Sequence, residues 1–332
     1  MRNLKTRPVG ICLLLSFLAL GIAPSLADEK KEKVFFLKPK EAGPDFKVQG
    51  EYVGKGASGD LGAQVIARGN GEFDIVLYKG GLPGAGWDGS EKITAHGKTE
   101  GESTPVKGDK TTGTITGDTF KGSLDGDFEL KKTQRKSPTL GEKAPEGAIV
   151  LFDGTNDDHW VGTRGKKVRK VLAVAKTGGI RTNEKFRDFK LHIEFRSPFM
   201  PGETGQARGN SGVYLLDQYE CQVLDSFGLT GENNECGGFY KVAQPAVNMC
   251  FPPLSWQTYD IEFTAAKFEN GKKISDAVAH VVHNGVVIHD HLKLPANTPG
   301  GGLNDESLPG ALFLQDHGDH VQFRNIWIVE QK

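Results

Sequence analysis

The sequence predicts an all-β protein in which a small β-rich domain precedes a larger sandwich or jelly roll. Three observations carry this expectation. Glycine accounts for 44 of the 332 residues and recurs between short apolar runs, where turns need its conformational freedom. Those runs are short and bounded by turn residues, and few segments show the 3.6-residue period of a helix. Asn284-Gly285 stands between two β-branched runs, 277–283 and 286–291, and is the strongest short-range hairpin signal in the chain.

In order along the chain, residues 1–27 read as an export signal. Arg2, Lys5 and Arg7 are basic, 9–20 is an apolar run, and Ser25-Leu26-Ala27 supplies small residues at the cleavage positions. The run is short and is soon followed by Pro24 and Asp28-Glu29-Lys30-Lys31, which argues against a membrane span in the mature chain. Cys12 lies inside the run rather than after it, against a lipid anchor. The protein is therefore expected to be secreted or periplasmic. Residues 28–34 form a charged leader. Runs at 46–53, 62–67, 73–78, 111–122 and 128–130 define a small domain over 35–131, a meander or open barrel of accessory character. Residues 132–146 are basic, contain Pro138 and Pro145 and show no periodicity, which reads as a linker. The second domain covers 147–332, with strands expected at 149–152, 189–196, 211–216, through Glu220, and at 257–263, 277–283, 286–291, 311–314 and 321–329.

A formal net charge of −1 offers no basic field for nucleic acid. The chain lacks a Walker loop, a dinucleotide fingerprint, a Gly-x-Ser-x-Gly elbow and a His-Glu-x-x-His helix. Phosphoryl transfer, Rossmann redox and serine hydrolase chemistry are thereby set aside.

The stretch Tyr219-Glu220-Cys221-Gln222-Val223-Leu224-Asp225-Ser226 carries polar groups where a core strand would carry apolar ones. Alternation places Glu220 and Gln222 on one face, and a bulge after Gln222 would bring Asp225 round to join them. An acid, an amide and a second acid on one rigid element suit acid–base work on a sugar; the competing reading is a solvated edge-strand face. In Leu314-Gln315-Asp316-His317-Gly318-Asp319-His320, Gln315 and His317 share a face at a strand end. They are candidate substrate contacts, with His317 and His320 as candidate ligands should a divalent cation be the cofactor. Asn210, in Gly209-Asn210-Ser211-Gly212, is a further candidate contact in a turn-forming stretch. Trp256 reads either as architecture or as a stacking platform for a pyranose. A two-residue turn at Asn284-Gly285 sets His280 opposite His289 and Val278 opposite His291, so the three histidines share one face. Val278, Val282 and Val287 on that face favour a partly exposed sheet over a metal site. Cys236 and Cys250 bracket one loop and are expected to form a disulfide, leaving Cys221 as a small buried hydrophobe.

Leu151-Phe152-Asp153-Gly154 with Trp160, Phe186-Arg187-Asp188-Phe189, Gly209-Asn210-Ser211-Gly212-Val213, Tyr219-Glu220 with Gln222 and Leu224-Asp225-Ser226, Trp256-Gln257-Thr258-Tyr259-Asp260, His283-Asn284-Gly285-Val286, and Leu314 to Gly318 with Phe323-Arg324-Asn325-Ile326-Trp327 occur in that order. This ordered set resembles the 3-keto-disaccharide hydrolase domain family, also described as 3-keto-glucoside 1,2-lyase/hydratase, over about 148–330. The resemblance implies a concanavalin-like β-sandwich with a concave sugar-binding face. It also implies action on a carbohydrate already oxidised at C3, by an exported protein. For that chemistry Glu220 is the first candidate base and Asp225 the second, while His317 and Gln315 are placed to serve the enolate oxygens. Two alternatives are a retaining glycosidase of laminarinase type, whose Glu-x-Asp-x-x-Glu strand is here Glu220-x-Gln222-x-x-Asp225, and a non-catalytic carbohydrate-binding protein.

Overall fold

The computed structural model describes residues 33–162 and 170–331. The expected signal 1–27 and most of the leader lie outside the described residues. Among the described residues no helix is long and apolar enough to cross a membrane.

Eight antiparallel strands, from Gly50–Gly56 to Asp127–Thr133, pair in sequence order, and the last returns to the first through Glu51↔Thr133 to Lys55↔Glu129. The result is a closed barrel rather than an open one, so neither end strand is left with unpaired backbone groups. Tyr52, Val65, Phe73, Ile75, Leu77, Phe120 and Leu130 fill its interior. The strand expected from residue 46 starts later: Phe46 to Val48 belong to a short helix, Gly43–Val48, with proline in its first turn. Phe46 packs edge-on to Phe199 of the second half, at 5.3 Å between ring centres.

That second half is a sandwich. Its small sheet has five strands in the order Trp160–Val161, Ile180–Thr182, Phe313–Leu314, Ser211–Leu215, Tyr219–Val223. Its large sheet has seven, running Leu172–Ala173, Gln322–Glu330, Phe189–Arg196, Gln257–Thr264, Ala277–His283, Val286–Leu294, with Ile149–Phe152 also on Gln322–Glu330. Val213, Leu215, Cys221 and Val223 face Ile193, Phe195, Tyr259 and Ile261 across the core. The same core includes Ile66, Val76 and Tyr78 from the outside of the barrel. The two halves therefore share apolar packing.

Residues 134–148, which take in most of the 132–146 stretch expected to be a linker, run as a strap against the outer face of the large sheet. Arg135 bonds Glu51 of the barrel (2.8 Å), Ser137 Oγ meets Thr258 Oγ1 (2.6 Å), and Thr139 Oγ1 donates to Asp260 (2.7 Å). The Gly141 N–H donates to Glu194 (2.6 Å), and Asn325 Nδ2 donates to the Glu142 carbonyl (2.9 Å). Beneath the strap, His192 bonds Asp260 (2.6 Å) and stacks on Trp327. Burial alone would lower the His192 pKa; the hydrogen bond to Asp260 and the nearby Glu194 carboxylate, 3.8 Å away, reverse that and hold it at about 9. Glu194 would be raised by burial but is brought down to about 2 by His192, Asn325, Arg324 and the Gly141 N–H. A raised histidine stabilises the fold below its ordinary value of 6.5, and that contribution is lost as pH rises through 9. The lowered glutamate stabilises above 4.5 and is lost only as pH falls through 2. The thermal midpoint is thus expected to fall from roughly pH 7 to 9.5, and His192→Gln should flatten that slope. An unchanged slope in the variant, followed by calorimetry, would remove His192 as its source.

Two expectations are corrected here. Cys236 and Cys250 do not form a disulfide: with Cys221 they are buried free thiols. Cys236 Sγ lies 3.2 Å from Tyr259 Oη, and Cys250 Sγ donates to the Leu224 carbonyl (3.4 Å). The loop between them is held by other means, notably Asn248 donating to the Ser226 carbonyl (2.8 Å). The second concerns the histidines. Asn284-Gly285 makes the expected turn, with φ of 51° and 84° and His283 opposite Val286. Two register shifts then pair Val281 with His289 and Ala279 with Leu292. His289 consequently turns inward to the Gly237 carbonyl (2.7 Å), and only His280 and His291 stay together.

Candidate active site on the small sheet

The Tyr219–Val223 strand pairs with Ser211–Leu215 in uninterrupted register, Gly212 opposite Gln222 and Tyr214 opposite Glu220. Because Val213, Leu215, Cys221 and Val223 point into the core, alternation sends Gly212, Tyr214, Glu220 and Gln222 to the outer face. The register continues across the sheet: Tyr214 opposes Phe313, and Phe313 opposes Arg181. One row of the floor is therefore Arg181, Phe313, Tyr214, Glu220. The next row is Gln315, Gly212, Gln222, since the Gln315 N–H bonds the Gly212 carbonyl (3.0 Å). Asn210 lies beyond Gly212 on the same face.

Glu220 is the chemically distinctive member. The other buried acids are each matched by a cation, Glu51 by Arg135, Glu194 by Arg324, Asp217 by Arg181, Asp225 by Arg208 and Asp319 by Lys33. Glu220 is 3% exposed and makes no ion pair among the described residues. Burial pushes its carboxyl up to about 7, with the Tyr214 hydroxyl pulling the other way. Burial also raises the Tyr214 phenol, which stays protonated; it donates to the Pro299 carbonyl (3.0 Å) and accepts from Gln315 Nε2 (3.2 Å). The Glu220 N–H donates to Thr298 Oγ1 (2.7 Å), which ties the strand to the 298–302 loop.

Glycine at 212 makes room for this carboxyl. A Cβ there would lie 2.3 Å from Glu220 Oε1 and 2.8 Å from the Tyr214 ring. Gly212→Ala is expected to displace the carboxyl and lower turnover by about 10²-fold, the scale of a small misplacement, while cooperative unfolding persists. Undiminished turnover in a folded Gly212→Ala would mean that the carboxyl position does not matter.

The floor also holds unmet hydrogen-bonding capacity. Gln222 Oε1, Gln315 Oε1 and Asn210 Oδ1 are buried without a partner. An unsatisfied buried polar group costs about 1–3 kcal/mol, so three of them around one carboxyl mark a face built for a polar ligand. Asn210 is itself held rigid, its N–H on Asp319 (2.9 Å) and its Nδ2 on the Gln206 carbonyl (2.9 Å).

The fold therefore gathers Glu220, Gln222, Gln315 and Asn210. It does not gather the others. No bulge follows Gln222; Asp225 lies past the strand end, bonded to Arg208 (2.6 Å). Arg208 also donates to the Ala67 carbonyl of the barrel (2.9 Å), so this ion pair joins the two halves. His317 is exposed on the loop after Gln315. His320 stacks on Phe35 at 3.8 Å, and burial lowers its pKa. Among the described residues, the groups gathering three metal-ligand atoms are His280–Asp290–His291 and Glu142–His192–Asp260, and neither includes His317 or His320. Trp256 lies at the large sheet, between Arg196 (4.9 Å) and Arg324 (4.0 Å), across the core from Glu220. Tyr214, Thr298 and Arg181 are additions that the sequence reading missed. Arg181 lies 3.7 Å from the Phe313 ring centre and pairs with Asp217 (2.7 Å). The glycine run 300–302 was the available signal for the loop, since a Cβ at Gly300 would lie 2.4 Å from Tyr214 Oη.

Residues 147–329 match the family described as the 3-keto-alpha-glucoside-1,2-lyase-like domain. The chain belongs to this family. The lyase-like domain supplies the whole floor just described, and its membership supports a carbohydrate-active enzyme with a carbohydrate substrate. Among solved structures, a Parabacteroides distasonis ATCC 8503 protein named "putative glycosyl hydrolase" is 38% identical, with a TM-score of 0.51 over 57% of this chain and 85% of that one. A second so named from the same organism is 19% identical, with a TM-score of 0.40 over 56% of this chain and 95% of that one. No curated protein matches.

Proposed function

We propose that the protein is an exported enzyme that cleaves 3-keto-glycosides by elimination, with Glu220 as the base. The observation that carries this is a buried, unpaired carboxyl raised to about 7 beside three unsatisfied amide oxygens. Near neutral pH it is poised both to take a proton and to hold it. A ketone at C3 acidifies the C2–H bond. Glu220 takes that proton, and the electron pair passes into the C2–C3 bond as an enolate. Collapse of the enolate breaks the bond from C1 to the leaving oxygen, which takes up the proton held by Glu220, directly or through water, so that the carboxylate is restored and a 2-hydroxy-3-keto-glucal remains. Water adding across C1 and C2 yields the free 3-keto-sugar, so the sum is hydrolysis. Tyr214 flanks the base from the neighbouring strand, while the open oxygens of Gln222, Gln315 and Asn210 accept from sugar hydroxyls.

Direct displacement by a conventional retaining glycosidase needs a second carboxyl about 5 Å from the first. The acids nearest in sequence, Asp217 and Asp225, are committed to Arg181 and Arg208, which favours elimination. The test offers purified protein a 3-keto-glucoside and its parent glucoside, with and without chelator, and follows aglycone release. Release from the oxidised substrate alone is expected. Cleavage of the parent would favour the glycosidase, binding without cleavage of either would favour a lectin-like role, and chelator sensitivity would bring in a divalent cation. Export predicts that the mature chain starts at Asp28, which N-terminal sequencing of secreted or periplasmic material checks.

A further inference from the structure

We propose that the outer face of the large sheet carries a surface site for a divalent transition-metal ion of the zinc type, formed by His280, Asp290 and His291. The irregular register of the 277–294 hairpin creates it. With Val281 on His289 and Ala279 on Leu292, residues Asp290 and His291 are left out of the ladder. His291 takes a φ of 49°, a backbone conformation that non-glycine residues seldom adopt. The displaced pair lies beside His280. His280 Nδ1 and His291 Nδ1 approach the same oxygen, Asp290 Oδ1, at 3.1 and 2.7 Å. The two imidazole rings are 5.1 Å apart, and one ligand atom from each of the three side chains lies within 4.8 Å of the others.

Two imidazole nitrogens and one carboxylate oxygen form a borderline donor set of the kind that Zn²⁺, Ni²⁺ and Cu²⁺ prefer over Mg²⁺ or Ca²⁺. Bonds of about 2 Å require only a small contraction of the cluster. The side chains of His291 and Asp290 are 74% and 75% exposed, so they can make that adjustment and an ion can reach them. Glu262 opposes His280 on the neighbouring strand and adds negative charge beside the cluster, while its own carboxylate is paired with Lys190. The remaining coordination positions are open to water. This site lies on the opposite sheet from Glu220 and is independent of the reaction proposed there.

Tag-free protein titrated with Zn²⁺ by calorimetry is expected to bind one equivalent with a micromolar dissociation constant and a rise in thermal midpoint. His280→Gln and His291→Gln should each weaken binding by about tenfold or more, and Asp290→Asn should weaken it measurably. These are surface positions, so metal-free midpoints should stay near the wild-type value and report that each variant is folded. A His317→Ala/His320→Ala protein should retain the binding. Unchanged affinity and stoichiometry in the His280→Gln/His291→Gln double variant would overturn the assignment. So would loss of binding in the His317/His320 variant, or no binding tighter than millimolar in the wild-type protein.

Discussion

Replacing Glu220 with glutamine is expected to lower turnover of a 3-keto-glycoside by about 10²–10⁴-fold, the usual scale of general acid–base catalysis, and to make the protein more stable above neutral pH. The two effects have one cause. The carboxyl is raised to about 7 from an ordinary 4.5 because burial penalises its charged form. Its contribution to stability is therefore complete below 4.5 and is lost as pH rises through 7. At pH 8 or so, the ionised group costs on the order of 3–4 kcal/mol, the shift multiplied by about 1.4 kcal/mol per unit. Glutamine keeps the shape and cannot ionise, so the thermal midpoint should rise by several degrees in alkaline buffer and change little near pH 4. In the wild type, kcat/KM should decline on the acidic side of pH 7 as the base is protonated. A substrate deuterated at C2 should react more slowly where proton removal limits the rate, and solvent hydrogen should exchange into C2 where it does not. Full activity in Glu220→Gln would dismiss this carboxyl as the base. Cleavage with neither exchange nor an isotope effect would return the displacement mechanism to first place.

Much of this floor is legible in sequence because it depends on a period of two. Glu220 and Gln222 share a face in any uninterrupted strand; Gln315 keeps its place beside them, but the strand ends at Leu314 and His317 leaves the face. What alternation cannot supply is the neighbour on the next strand. Tyr214 and Arg181 join the site through the pairings Tyr214↔Glu220, Tyr214↔Phe313 and Phe313↔Arg181, which link segments far apart in the chain. The same limit explains Trp256. Its aromatic ring suits a sugar platform, but the strand it precedes, Gln257–Thr264, belongs to the other sheet. The histidine hairpin shows a finer failure. Asn284-Gly285 dictates the turn, and the first pair follows from it, yet the register shifts farther along arise from packing that no local pattern records. Barrel closure is likewise a pairing of the first strand with the eighth, invisible to a reading of either alone. The thiols near Leu224 and Tyr259 show that bracketing a loop does not dictate a covalent bond when each sulfur has a partner in the core.

Asp225→Asn is expected to destabilise the protein by about 3–5 kcal/mol, the cost of leaving one member of a buried ion pair uncompensated, while the folded fraction keeps most of its turnover. Arg208 and Asp225 are 2% and 3% exposed, so water cannot replace the lost charge. Removing the carboxylate leaves the Arg208 guanidinium with the Ala67 carbonyl (2.9 Å) and weaker contacts to Gln49 and the Glu203 carbonyl. Against a typical total stability of about 5–15 kcal/mol, this is a large fraction, and the thermal midpoint should drop accordingly. The same reasoning bears on the barrel. Ile66, Val76 and Tyr78 complete the sandwich core, and Arg208 and Arg135 reach barrel acceptors from the other half and the strap. A fragment beginning at residue 147 should therefore be recovered unfolded or aggregated rather than as an active lyase-like domain. Circular dichroism, thermal melts and turnover on soluble material distinguish the outcomes. A melt at the wild-type temperature combined with lost turnover in Asp225→Asn would make Asp225 part of the chemistry, as the spacing Glu220-x-Gln222-x-x-Asp225 first proposed. A folded, active 147–332 fragment would show that the barrel is dispensable and that its shared packing adds little.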